Sequence, residues 1–184
     1  MGNPQIGLRP IAPAGGGINT RKATVSGSNT IALGIGSAVY MAGGVVLGSL
    51  TPAVYDGTEK ISGVVVRCID SNGRSVPNIP ASTSGYQVEM TTDPDLRFAI
   101  KVSGTGIAAA DLGKSYELTD ETMTANSNGF DGDSFSKREL DSATEAASEK
   151  QLVVQELTGV PGNAYATDGM EVIVTIDPTA FVQA

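Results

Sequence analysis

LRFAIKV, residues 96–102, alternates cleanly: Leu96, Phe98, Ile100 and Val102 fall on one face, Arg97 and Lys101 on the other. A period of two marks a strand with one face on a core and the other in water. YQVEM (86–90) has the same pattern, and KSYEL (114–118) a weaker form of it. ISGVVVRCID (61–70) is different, a continuous apolar run that reads as a buried strand, closed by the turn cluster Asp70-Ser-Asn-Gly73. QLVVQEL (151–157) and MEVIVTI (170–176) complete the stronger strands, stopped by Thr158-Gly159 and Asp177-Pro178. Earlier in the chain, RKATV (21–25), SAVYM (37–41) and VVLGSL (45–50) are predicted strands, the last two forming a hairpin through Gly43-Gly44.

Helical signals are few. GIAAADLG (106–113) has room for one or two turns before Gly113. SKRELDSATEAASEK (136–150) carries the capping-box pattern Ser136-x-x-Glu139 and is expected to form at most a short helix with an alanine-rich face. VPNIPASTSG (76–85) reads as a loop. Residues 1–20 hold three prolines and Gly15-Gly16-Gly17 without periodicity, and are predicted to be an extended arm. The expected fold is therefore all-β and mainly antiparallel, a small barrel or sandwich over residues 21–184 preceded by the arm 1–20.

The apolar stretch 31–50 has the length of a membrane span but is interrupted by glycines at 34, 36, 43, 44 and 48. Short strands and a turn are expected there instead of a transmembrane helix. The N-terminus lacks the continuous apolar segment of a secretory signal, and Ile6 stands where a myristoylation pattern wants Ser or Thr.

Charge is distributed unevenly. Residues 1–55 hold Arg9, Arg21 and Lys22 and no acid, a net +3; residues 56–184 hold all 20 acids and the other nine bases, 9 − 20 = −11, for the total of −8. An acidic body disfavours nucleic acid as a partner, while a basic head suits an acidic protein surface.

Chemistry is sparse. The chain has no histidine, which removes the usual acid–base and metal-ligating side chain, and its one cysteine, Cys68, permits no internal disulfide. Gly104-Thr-Gly106-Ile-Ala-Ala109 matches a dinucleotide fingerprint, but Gly113 leaves no room for the crossover helix, so a turn is expected. Ser134-Phe-Ser-Lys137 matches S-x-x-K without the companion elements of serine acylases. NGFDGDSFSKRELD (128–141) concentrates Asp131, Asp133, Glu139 and Asp141, yet no register places oxygen ligands and glycine as a calcium loop requires. A solvated turn is expected there. No enzyme activity, metal or cofactor is expected.

Four stretches, NPQIGLRPI, SGSNTIALGIGSAV, SKRELDSAT and LVVQELTGVPGNAY, occur in this order along the chain. In that order they resemble the capsid cement (decoration) proteins of tailed bacteriophages. Members of that group often begin with a Gly-aromatic-Arg-Pro-Val arm, which stands here as Gly7-Leu8-Arg9-Pro10-Ile11; Ser136 to Asp141 and Pro161-Gly162-Asn163-Ala164 match further segments. The resemblance implies a structural protein made in the bacterial host cytoplasm that binds the outside of the head shell. It would stabilise the assembled capsid as a dimer or trimer of itself, without nucleic acid or membrane. Its arm would dock on the major capsid protein through Leu8, Arg9, Pro10, Arg21 and Lys22. The alternative expectation is a carbohydrate-binding or adhesive β-sandwich, for which aromatic stacking residues are few.

Overall fold

A closed barrel and an open sheet share a core along the barrel's outer wall. In the computed structural model, the described residues are 7–14, 16–42, 45–49, 60–120, 123, 133–145 and 150–181. In chain order their strands are β1 (Arg9–Ile11), β2 (Thr20–Val25), β3 (Leu33–Gly34), β4 (Ala38–Ala42), β5 (Val45–Ser49), β6 (Gly63–Ile69) and β7 (Ser75–Val76). There follow β8 (Asn78–Ile79), β9 (Gln87–Thr91), β10 (Arg97–Lys101), β11 (Ser115–Tyr116), β12 (Leu152–Leu157) and β13 (Glu171–Ile176). One sheet runs β4-β5-β2-β9-β6-β7, and a further pairing of β4 with β6 closes β4, β5, β2, β9 and β6 into a barrel. The second sheet is open, in the order β1-β10-β13-β12-β11. Between these strands the pairing is antiparallel except for β2 with β5. The fold is thus the all-β, mainly antiparallel architecture expected.

The barrel is filled mainly by β-branched and small residues, among them Ala23, Val25, Val39, Val65 and Val88, together with Met90. The open sheet turns Phe98, Ile100, Val154, Val172 and Val174 toward the barrel's outer wall, where Ala38, Ile61 and Val64 receive them. Neighbouring positions of β6 serve different cores: Val64 faces the sheet and Val65 the barrel interior. A strand buried on both faces reads as a continuous apolar run, which is the physical reason GVVV does not alternate. On β10 the alternating set is buried, as its period demands, while Arg97 is exposed.

Three predicted features came out differently. Residues 136–145 form no helix: Ser136–Glu139 run extended and Leu140 bridges to Val102 and Leu118. Ser136 N–H donates to the Ile35 carbonyl at 2.9 Å and Leu140 N–H to Lys101 at 2.8 Å, so long-range partners override the local capping pattern. Positions 146–149 lie outside the described residues, as do the hairpin turn 43–44, Asp131 and positions 1–6 of the arm. Within 106–113 a single 3-10 turn, Ala109–Asp111, forms, inside the one or two turns expected. The loop 76–85 contributes β8, which pairs with β3. The arm is built into the fold from Gly7 onward, as β1 on the edge of the open sheet, instead of standing apart from the body.

Candidate docking surface

The open sheet has two edges, and they are finished differently. Next to β11, residues 117–119 bond to a second layer of chain: Thr119 N–H donates to the Glu139 carbonyl at 2.8 Å and Asp141 N–H to the Glu117 carbonyl at 2.9 Å. At the other edge lies β1, paired with β10 through Arg9↔Ala99, Pro10↔Phe98 and Ile11↔Arg97. Pro10 has no N–H to offer and is suited to an edge position. Among the described residues no backbone hydrogen bond other than the β10 ladder starts or ends on Arg9–Ile11.

The local chemistry explains how β1 is held. Gly7 is enclosed, and a Cβ there would stand 2.7 Å from both the Gly36 carbonyl oxygen and Ser136 Cβ. Its N–H donates to the Ser136 carbonyl at 2.8 Å, and Leu8 N–H to the Gly36 carbonyl at 3.1 Å. Leu8, expected on the docking arm, is 1% exposed and packs in the larger core, so its side chain serves the fold. Arg9 is exposed, and its guanidinium meets Glu171 at 2.9 Å. Pro10 and Ile11 are half-buried, and Ala12, Pro13 and Ala14 are exposed beyond them.

Arg21 and Lys22 stand apart from that edge, exposed on β2 in the barrel. Lys22 is the strand partner of Glu89, which is in turn the partner of Arg67, so three charges of alternating sign lie side by side across β2, β9 and β6. The Glu89 carboxylate accepts from Thr20 Oγ1 at 2.7 Å and lies 3.9 Å from Arg67. The five candidate residues therefore divide between a sheet edge, the core and the barrel wall.

The other sequence motifs serve structural bonding. In the described part of NGFDGDSFSKRELD, Asp133 pairs with Lys137 at 2.8 Å, Arg138 is 1% exposed and Leu140 is buried. The Asp133 carbonyl accepts from Asn78 Nδ2 at 2.9 Å. Among the described residues no three acidic or cysteine side chains gather as a metal site would need. At the Gly104–Ala109 motif, Gly106 adopts φ +74° against Thr167, whose carbonyl oxygen would lie 2.6 Å from a Cβ. The amide that a phosphate would use, Ala108 N–H, donates instead to Asp111 Oδ2 at 2.7 Å. The motif is a packed turn.

Shifted ionisations follow the same bonds. Lys114 is held well above its ordinary value by hydrogen bonds to Glu145 and then to Asp111. Asp111 is lowered in return, by Lys114 first and the Ala108 amide next. Asp70 is lowered chiefly by the Arg74 backbone N–H, at 2.8 Å, with the Arg74 side chain and Asn72 N–H adding to it. Burial pushes Cys68 up to about 12 and Tyr116 likewise to about 12.

Sequence reasoning missed one organising residue. Asn163, inside the PGNA stretch, donates from Nδ2 to the Glu171 carbonyl at 2.6 Å and to the Thr158 Oγ1 at 3.0 Å; its Oδ1 accepts from Glu171 N–H at 2.9 Å. It clasps the connection between β12 and β13 beside a cleft of about 230 Å³ walled by Lys101, Val160 and Asp168. An asparagine following Pro-Gly was the available signal, since its amide can replace two ladder bonds at once. No helix among the described residues is long and apolar enough to cross a membrane. No protein-family model matches the chain, and neither does any curated protein.

Proposed function

We propose that this protein is a capsid cement protein of a tailed bacteriophage, binding the outside of the head shell and stabilising the assembled lattice. The observation that supports it most is the placement of Gly7–Ile11. The segment with which the resemblance begins runs from the enclosed Gly7 into β1, an edge strand of the open sheet, with the exposed Ala12-Pro13-Ala14 leading away from it. The partner is the major capsid protein, met by this edge and by the basic pair Arg21 and Lys22 on the barrel wall. A protein that binds only the assembled shell stabilises it by linkage, and contacts on more than one shell subunit multiply that effect through effective concentration. No step of this mechanism needs a nucleophile, a metal or a cofactor.

Sedimentation of the purified protein with mature heads of the encoding phage tests the proposal. Saturable occupancy is expected, weakened by added salt and by the double change Arg21→Glu, Lys22→Glu, with the β circular-dichroism spectrum unchanged. Wild-type occupancy by the double variant would remove the basic pair from the interface. Absence of the protein from purified virions, together with no binding to heads, would overturn the function. Deleting residues 1–22 is a poor test, because it strips Leu8 from the core and part of β2 from the barrel.

A further inference from the structure

The β1 segment and the strand that follows it belong to different parts of the molecule. Residues 7–11 lie in the open sheet, against β10, Gly36, Ser136 and Glu171. Strand β2 lies in the barrel, bonded to β5 and β9. Between them residues 12–14, 16, 17 and 19 are exposed and Ile18 is half-buried, and the sequence there includes Gly15-Gly16-Gly17. Among the described residues of this linker, the one backbone hydrogen bond is internal, Gly16 N–H to the Pro13 carbonyl at 3.0 Å. The arm is therefore specified by its slot, while the choice of which chain supplies it rests on the linker.

We propose that the slot is a strand-exchange site, in which residues 7–11 of a second copy replace the chain's own arm and staple neighbouring copies together. The slot is selective for this segment: the enclosure of Gly7 excludes a side chain, Leu8 fills a core position, and Glu171 receives Arg9. Own and exchanged arms make the same contacts, so their energies cancel, and linker freedom and the proximity of copies decide the outcome. Crowding copies on a common surface raises their effective concentration and favours exchange. The inference rests on the arm and its slot alone and stands whether or not that surface is a phage head.

Paired cysteines test it. Ile11 and Arg97 are strand partners across β1 and β10. One chain carrying Ile11→Cys and another carrying Arg97→Cys are mixed, unfolded in urea, refolded together at high concentration and oxidised. The native Cys68 is buried and stays silent. The expected result is a shift from the monomer band to a disulfide-linked heterodimer on non-reducing gels, increasing with protein concentration. A control partner with Ser71→Cys, in the exposed turn after β6, should give little crossed product. The pair Arg9→Cys with Ala99→Cys repeats the test at a second register position. Crossed product no greater than the control, while one chain with both cysteines closes its internal disulfide, overturns the proposal. Failure of that internal disulfide to close overturns it too, since the arm would then not occupy the slot.

Discussion

Replacing Leu8 by alanine probes whether a segment so near the chain's beginning carries real stability. Leu8 is 1% exposed and packs within the core between sheet and barrel. Leu→Ala at such a position costs about 2–5 kcal/mol, the removed atoms and the cavity they leave both contributing. The lower half of that range is expected, because β1 is an edge strand three residues long and its neighbours can close in from the open side. With a urea m-value of about 2 kcal/mol/M, a loss of about 2–3 kcal/mol moves the midpoint down by about 1–1.5 M. Equilibrium urea unfolding followed by circular dichroism measures this, with m held common to both proteins.

Hydrogen exchange at the Gly7 and Leu8 amides, which bond to the Ser136 and Gly36 carbonyls, reports the arm separately. The global loss cannot exceed the free energy with which the arm is docked. Adding Gly7→Ala to Leu8→Ala should therefore cost less than the sum of the two single changes, both acting through the same docking step. An unchanged midpoint with both amides still protected would refute the reasoning, since Leu8 would then be buried without stabilising anything.

Two further outcomes follow from single groups. Asn163→Ala should cost about 1–2 kcal/mol in thermal or urea unfolding, because at a half-buried site the Glu171 N–H loses its acceptor and the Glu171 carbonyl is left with the longer bonds from Thr158. Asn163→Asp should cost more, since it sets a carboxylate against the Glu171 carbonyl at 2.6 Å and the Thr158 carbonyl at 3.2 Å, both now receiving from Nδ2; equal stability of all three proteins would remove the clasp. On the alkaline side, Cys68, Tyr116 and Lys114 all have raised folded-state values, so the unfolded chain releases their protons first. The contribution of Cys68 is therefore complete below pH 9.0, its ordinary value, and is lost as pH rises toward about 12. Cys68→Ala should flatten the first part of that decline in urea midpoints taken from pH 7 to 11, and an unaltered slope would contradict the assignment.

Legibility in the sequence tracked the range of the interactions responsible. Strands β10 and β13 could be read because burial on one face imposes a local period of two, and β6 because burial on both faces makes it continuously apolar. β1 could not: three residues with a central proline carry no period, and the slot is built from Gly36, Ala99 and Ser136, all distant along the chain. The segment 136–145 failed in the opposite sense, since its local capping pattern was real but weaker than the pairing of Ser136 with Ile35 and of Leu140 with Lys101. Of the candidate docking residues, Arg9, Arg21 and Lys22 are on the surface as their charge implied, whereas Leu8 shows that an apolar residue in an arm-like stretch can be a core residue.

The same contrast separates what the two sheets can do. Strands β4, β5, β2, β9 and β6 close on one another as a barrel, and across β2, β9 and β6 its wall presents the side-chain row Lys22, Glu89 and Arg67 to a partner. The open sheet cannot close, and its β11 side is finished by residues 139–144. That leaves β1 to define the remaining edge. Its short length, its proline and the Arg9–Glu171 pair limit indiscriminate pairing there, as protected edges do. A sheet guarded in this way gains little from adding an arbitrary strand. It gains most from a segment that fits a glycine-tight entrance and a leucine pocket. Among the described residues, the segment that meets both conditions is residues 7–11 of this chain or of its copy.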